Sequence, residues 1–314
     1  MWADVEETRN DSETPVYAHT TVLKREAISF LQTREGGVFV DATLGGGGHT
    51  EAILEAIGGC TVFGIDRDER SLNTVQERLS RFGQRLRLIH GAFGDIEQLL
   101  ADNGISKVDG ILADLGISSG QLDDPERGMS FRSEGPLDMR MDRSQGQTAL
   151  DLISSLDQEE LANVIFRFGE ERRSRRVARC IKLALQDGRL ETTLDLRRAV
   201  VRAVGPARVG GVDPATRTFQ ALRIAVNGEL DQLTSLLDSA PRILNPDGLL
   251  VVISFHSLEE RMVKRAFQNR SLWSPLTKKP VTAGEEELQN NPRSRSAKMR
   301  AARLLDTSDD DGRE

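Results

Sequence analysis

The stretch that decides the fold is Val38-Phe39-Val40-Asp41-Ala42-Thr43-Leu44-Gly45-Gly46-Gly47-Gly48-His49. It reads as a short apolar strand that ends in a carboxylate and then turns through four glycines. Residues 50–57 follow with apolar side chains at Ile53, Leu54 and Ile57, the spacing of one helix face. Because glycine has no Cβ and tolerates positive φ, such a turn lets the backbone approach a ligand closely. The stretch predicts a βα unit with a binding turn.

The same alternation continues along the chain. Apolar runs at 61–66, 86–90 and 108–114 predict strands, and the segments 69–82 and 96–103 between them predict helices. Strands that alternate with helices at this spacing are typical of βαβ units. They predict a parallel sheet.

The alternation stops after Asp114. Residues 116–146 are rich in Gly, Ser, Asp and Pro and predict a loop, and 149–202 predict mostly helices. A helix at 229–244 and, after a turn at its end, an apolar strand at 249–255 restore the pattern. We therefore expect an α/β fold, a doubly wound Rossmann-like domain with a helical domain inserted into it.

The expected domain boundaries follow from these changes. The α/β domain covers residues 17–120 and 225–305, and the inserted helical domain, expected to bind substrate, covers 121–224. The ends, 1–16 and 306–314, each carry five acidic residues and one basic residue without an apolar period. Such segments predict disordered acidic tails.

Composition excludes several classes of protein. The chain has 314 residues, of which 38% are hydrophobic and 29% charged, a globular mixture. Its longest apolar run, 249–255, is far below the roughly 20 residues that span a bilayer. The first residues resemble neither a secretory nor a transit signal. With only two cysteines, we expect a cytoplasmic protein that has no disulfide scaffold and no membrane partner.

The net charge of −7 hides a segregation of charge along the chain. The two tails carry −8 together, which leaves the remainder at +1. Within that remainder, residues 167–223 hold 14 basic and 6 acidic side chains, and residues 258–303 hold 11 and 5. Segregated basic segments are typical of phosphate binding, although solvated helix faces explain them equally well.

The glycine turn and the end of the second strand together suggest a ligand. Asp66 ends that strand 21 residues after Gly45, where a carboxylate can accept hydrogen bonds from ribose hydroxyls. The turn lacks the third glycine of the dinucleotide fingerprint G-x-G-x-x-G and the Gly-Lys-Ser/Thr ending of a P-loop. Asp41, ahead of the glycines, suits a cationic ligand. The pattern favours S-adenosylmethionine over a flexible turn without a ligand.

The roles of three further residues each have two interpretations. Asp114, at the end of the strand 108–114, either positions the cofactor or acceptor group or is a loop carboxylate. His49 either contacts the ligand or packs at the helix start, and Phe93 either covers an adenine ring or belongs to the core. No histidine has an i,i+4 partner or a nearby cysteine, so we expect no metal site.

Long motifs occur in an order typical of one family, at residues 19–23, 41–50, 66–68, 114–119, 121–123, 126–128, 135–142, 169–172, 214–220 and 254–259. With these motifs the chain resembles the bacterial ribosomal RNA small subunit methyltransferase H, or MraW, family over about residues 19–303. The resemblance implies S-adenosylmethionine-dependent methylation of the exocyclic N4 amine of a cytidine. The cytidine would lie in the decoding centre (P-site region) of 16S rRNA within the small ribosomal subunit.

The resemblance also implies a set of cofactor contacts. Of these, only Gln121 is not also indicated by the residue patterns. The set is Gly47, Gly48, His49, Asp66, Phe93, Asp114 and Gln121. Gly46 and Thr50 stand where relatives often have a larger residue and a serine. We expect these two departures to change the loop geometry slightly and to leave the activity intact.

The implied reaction sets requirements for the active site. A cytosine amine is a poor nucleophile because its lone pair delocalises into the ring, so the enzyme must orient it towards the donor methyl and accept its proton. The group that holds the amine is a carboxylate, a backbone carbonyl or a hydroxyl. The candidates are Asp114, Ser118 and Ser119, with Asp138 and Asp142 as further ones. For the last two, a surface turn paired to Arg140 is the alternative.

Recognition of RNA is expected to depend on shape and phosphate contacts, because aromatic residues are only 4% of the chain. The arginines expected to meet phosphates are Arg172, Arg173, Arg175, Arg176, Arg179 and Arg217. The helical insertion also makes a homodimer an expectation. Two other classes stay open: a nicotinamide-dependent oxidoreductase, which shares the fold but not the glycine spacing, and an RNA-binding factor without catalysis.

Overall fold

The structure is a computed structural model that describes residues 21–32, 35–206 and 212–306. The predicted acidic tails lie outside these residues, apart from Asp306, and so do residues 17–20 of the predicted α/β domain. Within the described part, parallel strands and helices alternate up to residue 114, helices dominate from 149 to 227, and strands return from residue 244.

The described residues form one seven-stranded sheet in the order β3-β2-β1-β4-β5-β7-β6. Neighbours from β3 to β5 pair in parallel, whereas β7 lies antiparallel between β5 and β6. The strands are β1 (Val38–Asp41), β2 (Thr61–Asp66), β3 (Leu86–His90), β4 (Val108–Asp114), β5 (Leu244–Ser254), β6 (Trp273–Pro275) and β7 (Lys298–Leu304).

Thirteen α-helices occur in the described residues, and those at either side of the insertion cover both faces of the sheet. They are α1 (Lys24–Leu31), α2 (Gly48–Ala56), α3 (Glu69–Arg78), α4 (Ile96–Asp102), α5 (Ser119–Asp123), α6 (Ala149–Ser155), α7 (Gln158–Gly169), α8 (Ser174–Gln186), α9 (Thr193–Val204), α10 (Thr216–Asn227), α11 (Glu229–Ile243), α12 (Ser257–Ala266) and α13 (Glu285–Asn290). None of the described helices is both long enough and apolar enough to cross a membrane.

The predicted strands 61–66, 86–90 and 108–114 are confirmed at both ends. The turn expected at 245–248 falls within the bounds of β5, but these residues have no strand partner in the described sheet, because the pairing with β4 passes from Leu244 opposite Val108 to Leu249 opposite Gly110. Asp247 has a φ of 63°. The chain therefore turns where a turn was expected and pairs again from Leu249 onwards.

The sheet is buried on both faces because its residues alternate between two cores. Along β5, Val251 and Ile253 belong to one core with α1 and α2, and Leu250 and Val252 belong to the other with α4 and α11. A strand that is buried on both faces reads as a continuous apolar run. This is why β5 could be predicted from Leu249 onwards.

Residues 137–226 have a third core, built from α6 to α10 and the loop before them. Leu161 and Ile165 of α7 pack there with Val177 of α8 and with Leu222 of α10. Position 224, where we expected the inserted domain to end, lies inside α10.

The sheet order determines where a ligand can bind. The carboxyl ends of β1, β2, β4 and β5 share one edge because these strands are parallel. The chain leaves β1 towards β2 on one side, and β4 follows on the other side, so the edge beside β1 is a topological switch point. Open α/β sheets bind ligands there.

Candidate active site

A cleft opens at this carboxyl edge, between the glycine turn, the ends of β2, β4 and β5, and the start of α11. It brings together residues that lie far apart in the sequence. Of the predicted cofactor contacts, the cleft is lined by Gly48, His49, Asp66, Phe93, Asp114 and Gln121. Gly47 is not among the described residues that line it.

The backbone of the glycine turn is shaped by packing on α3 as well as by the cleft. Gly47 has a φ of 73°, and a Cβ added there would lie 2.9 Å from both methyl groups of Val75. A Cβ on Gly48 would lie 1.8 Å from the Thr21 hydroxyl oxygen. Gly47 is therefore favoured both by its positive φ and by the contact with α3, and Gly48 lies directly against Thr21.

Asp41 lies beneath the turn and holds it in place. Its side chain is fully buried, the Thr50 hydroxyl donates to it over 2.7 Å, and the Thr43 amide donates over 3.3 Å. Burial raises the pKa of Asp41, while the nearby His49 and the Thr50 hydrogen bond act in the opposite direction. The expectation that Asp41 faces a cationic ligand is not supported, because it does not line the cleft among the described residues.

Asp66 connects the end of β2 to the glycine turn. Its carboxylate accepts hydrogen bonds from the Gly45 amide at 2.7 Å and from the Asp68 amide at 2.8 Å. Burial raises the pKa of Asp66 to about 6, with smaller contributions from the charges of Asp68 and Asp41. Each carboxylate oxygen has a further lone pair, which can accept a hydrogen bond from a ribose hydroxyl.

His49 and Asp114 form a polar pair on the cleft wall. His49 Nε2 lies 3.5 Å from Asp114 Oδ2, and the Asp114 amide donates to the Thr43 hydroxyl at 2.6 Å. Both ring nitrogens of His49 and Asp114 Oδ1 are buried and have no hydrogen-bond partner among the described residues. Because buried polar atoms are normally paired, this part of the wall fits a polar ligand.

Ser118 and Gln121 line the cleft from the start of α5. The Ser118 hydroxyl accepts from the Gln121 amide at 3.2 Å, and Gln121 Oε1 accepts from the Ser118 amide at 3.3 Å, which is a capping box. The Ser118 hydroxyl hydrogen has no recorded acceptor within the part of the chain that the structure describes. Ser119 begins α5, and its side chain lies outside the part that the structure describes.

The structure does not bring Asp138 and Asp142 to the cleft. Asp138 accepts from Arg140 at 2.7 Å and lies 3.4 Å from Arg143. Although burial acts in the other direction, the hydrogen bonds from Arg140 hold the pKa of Asp138 below its ordinary value. Asp142 accepts from Ser144 and Gln145. The alternative, a turn paired to Arg140, describes Asp138 better than a catalytic role does.

The predicted RNA-binding arginines are all exposed, and the five between 172 and 179 lie at the start of α8 or just before it. Arg172 and Arg217 line a second groove together with Phe166 and Arg261. The side chain of Phe166 is 59% exposed there. The low aromatic content of the chain gave no indication of an exposed ring beside these arginines.

Three residues near the cleft were not predicted from the sequence. Glu229 and Glu259 line it, and His256 lies beside them, with one ligand atom from each of the three within 4.8 Å of the others. His256 and Glu259 form the capping box of α12, a pattern visible in the sequence as a cap residue followed by Glu at the third helical position. Glu229 comes from another element, and no local pattern links it to them.

The fold and the cleft fit an adenosine cofactor with a charged end. Asp66 offers acceptors for ribose hydroxyls, Phe93 offers an apolar surface, and the unpaired atoms of His49 and Asp114 lie beside the glycine turn. A parallel sheet whose one antiparallel strand, β7, lies between β5 and β6 completes the architecture. These features define a Rossmann-like methyltransferase that depends on S-adenosylmethionine.

The chain belongs to the MraW methylase family, whose pattern matches residues 16–305. It is 67% identical over 287 residues to ribosomal RNA small subunit methyltransferase H of Sorangium cellulosum, with 91% of each chain covered. It is 47% identical to the protein of that name from a Picosynechococcus species, over 93% of this chain and 99% of the relative. An rRNA methylase structure from Streptococcus thermophilus aligns over 90% of this chain and 95% of its own, at 10% identity and a TM-score of 0.41.

Proposed function

We propose that this enzyme methylates the exocyclic N4 amine of a cytidine in the decoding centre (P-site region) of 16S rRNA within the small ribosomal subunit. The observation that carries the proposal is the cleft, in which Asp66, His49 and Asp114 meet at the switch point of the sheet. The relatives, which are named as small subunit rRNA methyltransferases, support the choice of substrate.

Different residues of the cleft bind different parts of the cofactor. S-adenosylmethionine supplies an electrophilic methyl group on a sulfonium centre. Asp66 accepts hydrogen bonds from the ribose, Phe93 packs on the adenine, and Gln121 and the backbone at Gly48 complete the contacts. His49 and Asp114 provide polar atoms for the charged end of the cofactor.

The amine is held at the loop that begins at Asp114. Asp114 ends β4, and Ser118 lines the cleft four residues later. A carboxylate or hydroxyl oxygen that accepts one amine hydrogen orients the nitrogen lone pair away from itself, towards the methyl group. The same acceptor or a neighbouring carbonyl then receives the proton.

The insertion, residues 121–224, is the proposed RNA-binding part. Its exposed arginines, at the start of α8 and in the groove with Arg217, suit phosphate contacts. The target base must leave its stack to reach the cleft. We also propose that the enzyme forms a homodimer and that it is located in the cytoplasm.

The experiment is transfer of tritium from methyl-labelled S-adenosylmethionine to small ribosomal subunits that lack the modification, followed by nucleoside analysis. We expect label in N4-methylcytidine and none in naked 16S rRNA of scrambled sequence. Label in another nucleoside would contradict the position, and no label at all would contradict the substrate. Calorimetry with NAD tests the oxidoreductase alternative, for which we expect no binding.

A further inference from the structure

A buried histidine and two glutamates meet at the side of the cleft that lies away from Asp66. Glu259 belongs to α12, which follows β5, and Glu229 begins α11. Since β1 and β4 separate β5 from β2 in the sheet, this group lies on the acceptor side of the cleft if Asp66 holds the ribose. None of these three residues has a role in the proposed cofactor binding or in the proposed methyl transfer.

Backbone hydrogen bonds fix the orientation of Glu259. Its Oε2 accepts from the Phe255 amide at 2.8 Å and from the His256 amide at 3.3 Å. Its other oxygen, Oε1, lies 3.2 Å from His256 Nε2. One oxygen therefore anchors the side chain, and the other is available as a hydrogen-bond acceptor.

The hydrogen bonds of His256 also define which ring nitrogen donates. Its Nδ1 accepts from the Glu259 amide at 3.4 Å, so in the neutral ring Nε2 carries the hydrogen. The side chain is 9% exposed, and Nε2 has no hydrogen-bond partner among the described residues. This buried nitrogen therefore faces Glu259 Oε1 and helps to position it, whereas Glu259, and not His256, lines the cleft.

The contacts of this group do not suit a metal ion. Arg223 donates to both oxygens of Glu229, at 2.7 and 2.8 Å, and so places a positive charge where a cation would bind. A protonated Nε2 cannot be a ligand either, because coordination needs its lone pair. What remains is a carboxylate oxygen of Glu259 on the cleft wall, which can accept a hydrogen bond from the amine of a nucleobase.

We infer that Glu259, positioned by His256, binds the amine of the target base and selects cytosine over uracil, an inference that rests on the proposed function. Cytosine presents an amine donor, which matches the acceptor Glu259 Oε1 on the cleft wall. Uracil presents a carbonyl oxygen at the same place, which would face the carboxylate. Such unfavourable contacts create specificity as effectively as favourable ones.

This arrangement is compatible with the role given to Asp114. Asp114 ends β4, and its neighbour Leu115 pairs with Ile253 near the end of β5. The amine carries two hydrogens, one for Glu259 and one for Asp114. Holding both of them leaves the nitrogen lone pair as the remaining direction for bond formation.

The test is binding of oligouridylate that carries one central cytidine, compared with the same oligouridylate without it, in the presence of S-adenosylhomocysteine. We expect the wild-type enzyme to prefer the cytidine oligomer by about tenfold or more, in line with one hydrogen bond to a charged group. In Glu259→Gln, the amide oxygen can keep the backbone bond while the amide nitrogen donates to uracil, so the preference falls to about threefold or less.

Two further variants make the result specific. His256→Asn keeps an acceptor for the Glu259 amide but removes the Nε2 group that faces Glu259 Oε1, and we expect a preference between those of the wild-type enzyme and Glu259→Gln. Glu260→Gln changes the next residue of α12, which pairs with Arg300 at 2.6 Å and not with the cleft, and we expect the wild-type preference. Thermal melting of each variant verifies that it is folded.

The outcomes separate this inference from the proposed function. A Glu259→Gln enzyme that is folded and still prefers the cytidine oligomer tenfold overturns the inference, as does a wild-type enzyme without preference. In either case, tritium transfer to small subunits by the wild-type enzyme leaves the proposed function standing. If the wild-type enzyme transfers no methyl group to small subunits, both are overturned.

Discussion

Asp114 is the residue on which the proposed chemistry depends most. Its carboxylate has one oxygen near His49 and one without a partner among the described residues. Asp114→Asn keeps the shape and the backbone bond to Thr43 but removes the charge. We expect turnover to fall by about 10²- to 10⁴-fold with an unchanged melting temperature, measured by tritium transfer and circular dichroism. Wild-type turnover in this variant would contradict the assignment.

The pKa of Asp66 makes cofactor binding depend on pH. Burial raises this pKa to about 6 in the free protein, and hydrogen bonds from ribose hydroxyls would favour the ionised form and lower the pKa in the complex. Binding therefore favours the carboxylate and weakens as the pH falls below about 6. We expect the Kd for S-adenosylmethionine, measured by calorimetry, to rise about tenfold between pH 7 and pH 5.

Asp66→Asn is the matched control for this effect. Its neutral side chain has no proton to lose, so we expect weaker binding at both pH values and little change between them. If the wild-type dependence persists in this variant, it comes from another group.

Residues at the ends of strands could be predicted from the sequence. Residues that meet only in the folded protein could not. Asp66 and Asp114 each follow an apolar run, which indicates their place in the sheet. Gly47 and Asp41 lie at the right positions in sequence, but their side-chain directions depend on packing with Val75 and Thr50. Glu229 approaches Glu259 only because α11 and α12 begin at the same edge.

At the scale of elements, a buried ion pair attaches the loop after β4 to α3. Arg127 pairs with Asp68, the N-cap residue of α3, and both side chains are less than 10% exposed. Arg127 also donates to the Met141 carbonyl at 2.9 Å. Because Arg127→Leu leaves a buried carboxylate without its partner, we expect the free energy of unfolding to fall by about 3–5 kcal/mol in urea titration.

Arg189→Leu provides the comparison. Arg189 pairs with Asp187 at the surface, where the arginine side chain is 63% exposed. Exposed pairs contribute less than about 1 kcal/mol. Equal losses in the two variants would show that burial of the Arg127 pair has no special effect.

The start of α8 is expected to bind RNA through phosphate contacts. Arg175, Arg176 and Arg179 are exposed along this helix. Replacing all three by Ala should weaken binding to small subunits and flatten the slope of log K against log salt by about 2, because each phosphate contact adds about 0.7. Arg242→Ala, which removes an exposed pair with Glu97 on α4, should leave the slope unchanged.

Elements with a continuous apolar run could be predicted, and β6 and β7 could not. The sequence of β7, Lys298-Met299-Arg300-Ala301-Ala302-Arg303-Leu304, mixes three charged residues with two alanines. Its buried positions are determined by antiparallel pairing with β5 and β6. Ala301 and Ala302 fit there because small side chains let the neighbouring helices approach, and no local period shows this.

At the scale of the whole molecule, the cleft joins elements from both sides of the insertion, so cofactor binding should stabilise the complete fold. At a concentration 100 times the Kd, a ligand that binds only the folded state adds about 2.7 kcal/mol to the free energy of unfolding. We expect S-adenosylmethionine to raise the melting temperature by several degrees and NAD to leave it unchanged. A shift with NAD instead would favour the oxidoreductase alternative.

The net charge of the whole chain could be interpreted correctly only after the charges of its segments were counted separately. The described insertion carries the exposed arginines, whereas the acidic segments 1–16 and 307–314 lie outside the described residues. The α/β fold and its interruption by helices could be predicted because both follow from local periodicity. The cleft could be predicted in part, because only some of its residues come from strand ends.

The position of β7 also has a consequence for protein synthesis. A ribosome makes β1 to β5 first, but the edge of β5 stays without its neighbour until residues 298–304 have left the exit tunnel. The growing chain can bury the helical insertion early, whereas the sheet beneath the cleft is completed last. The nascent enzyme therefore exposes an apolar strand edge between the emergence of residues 244–254 and that of residues 298–304, an interval in which chaperones would protect it best.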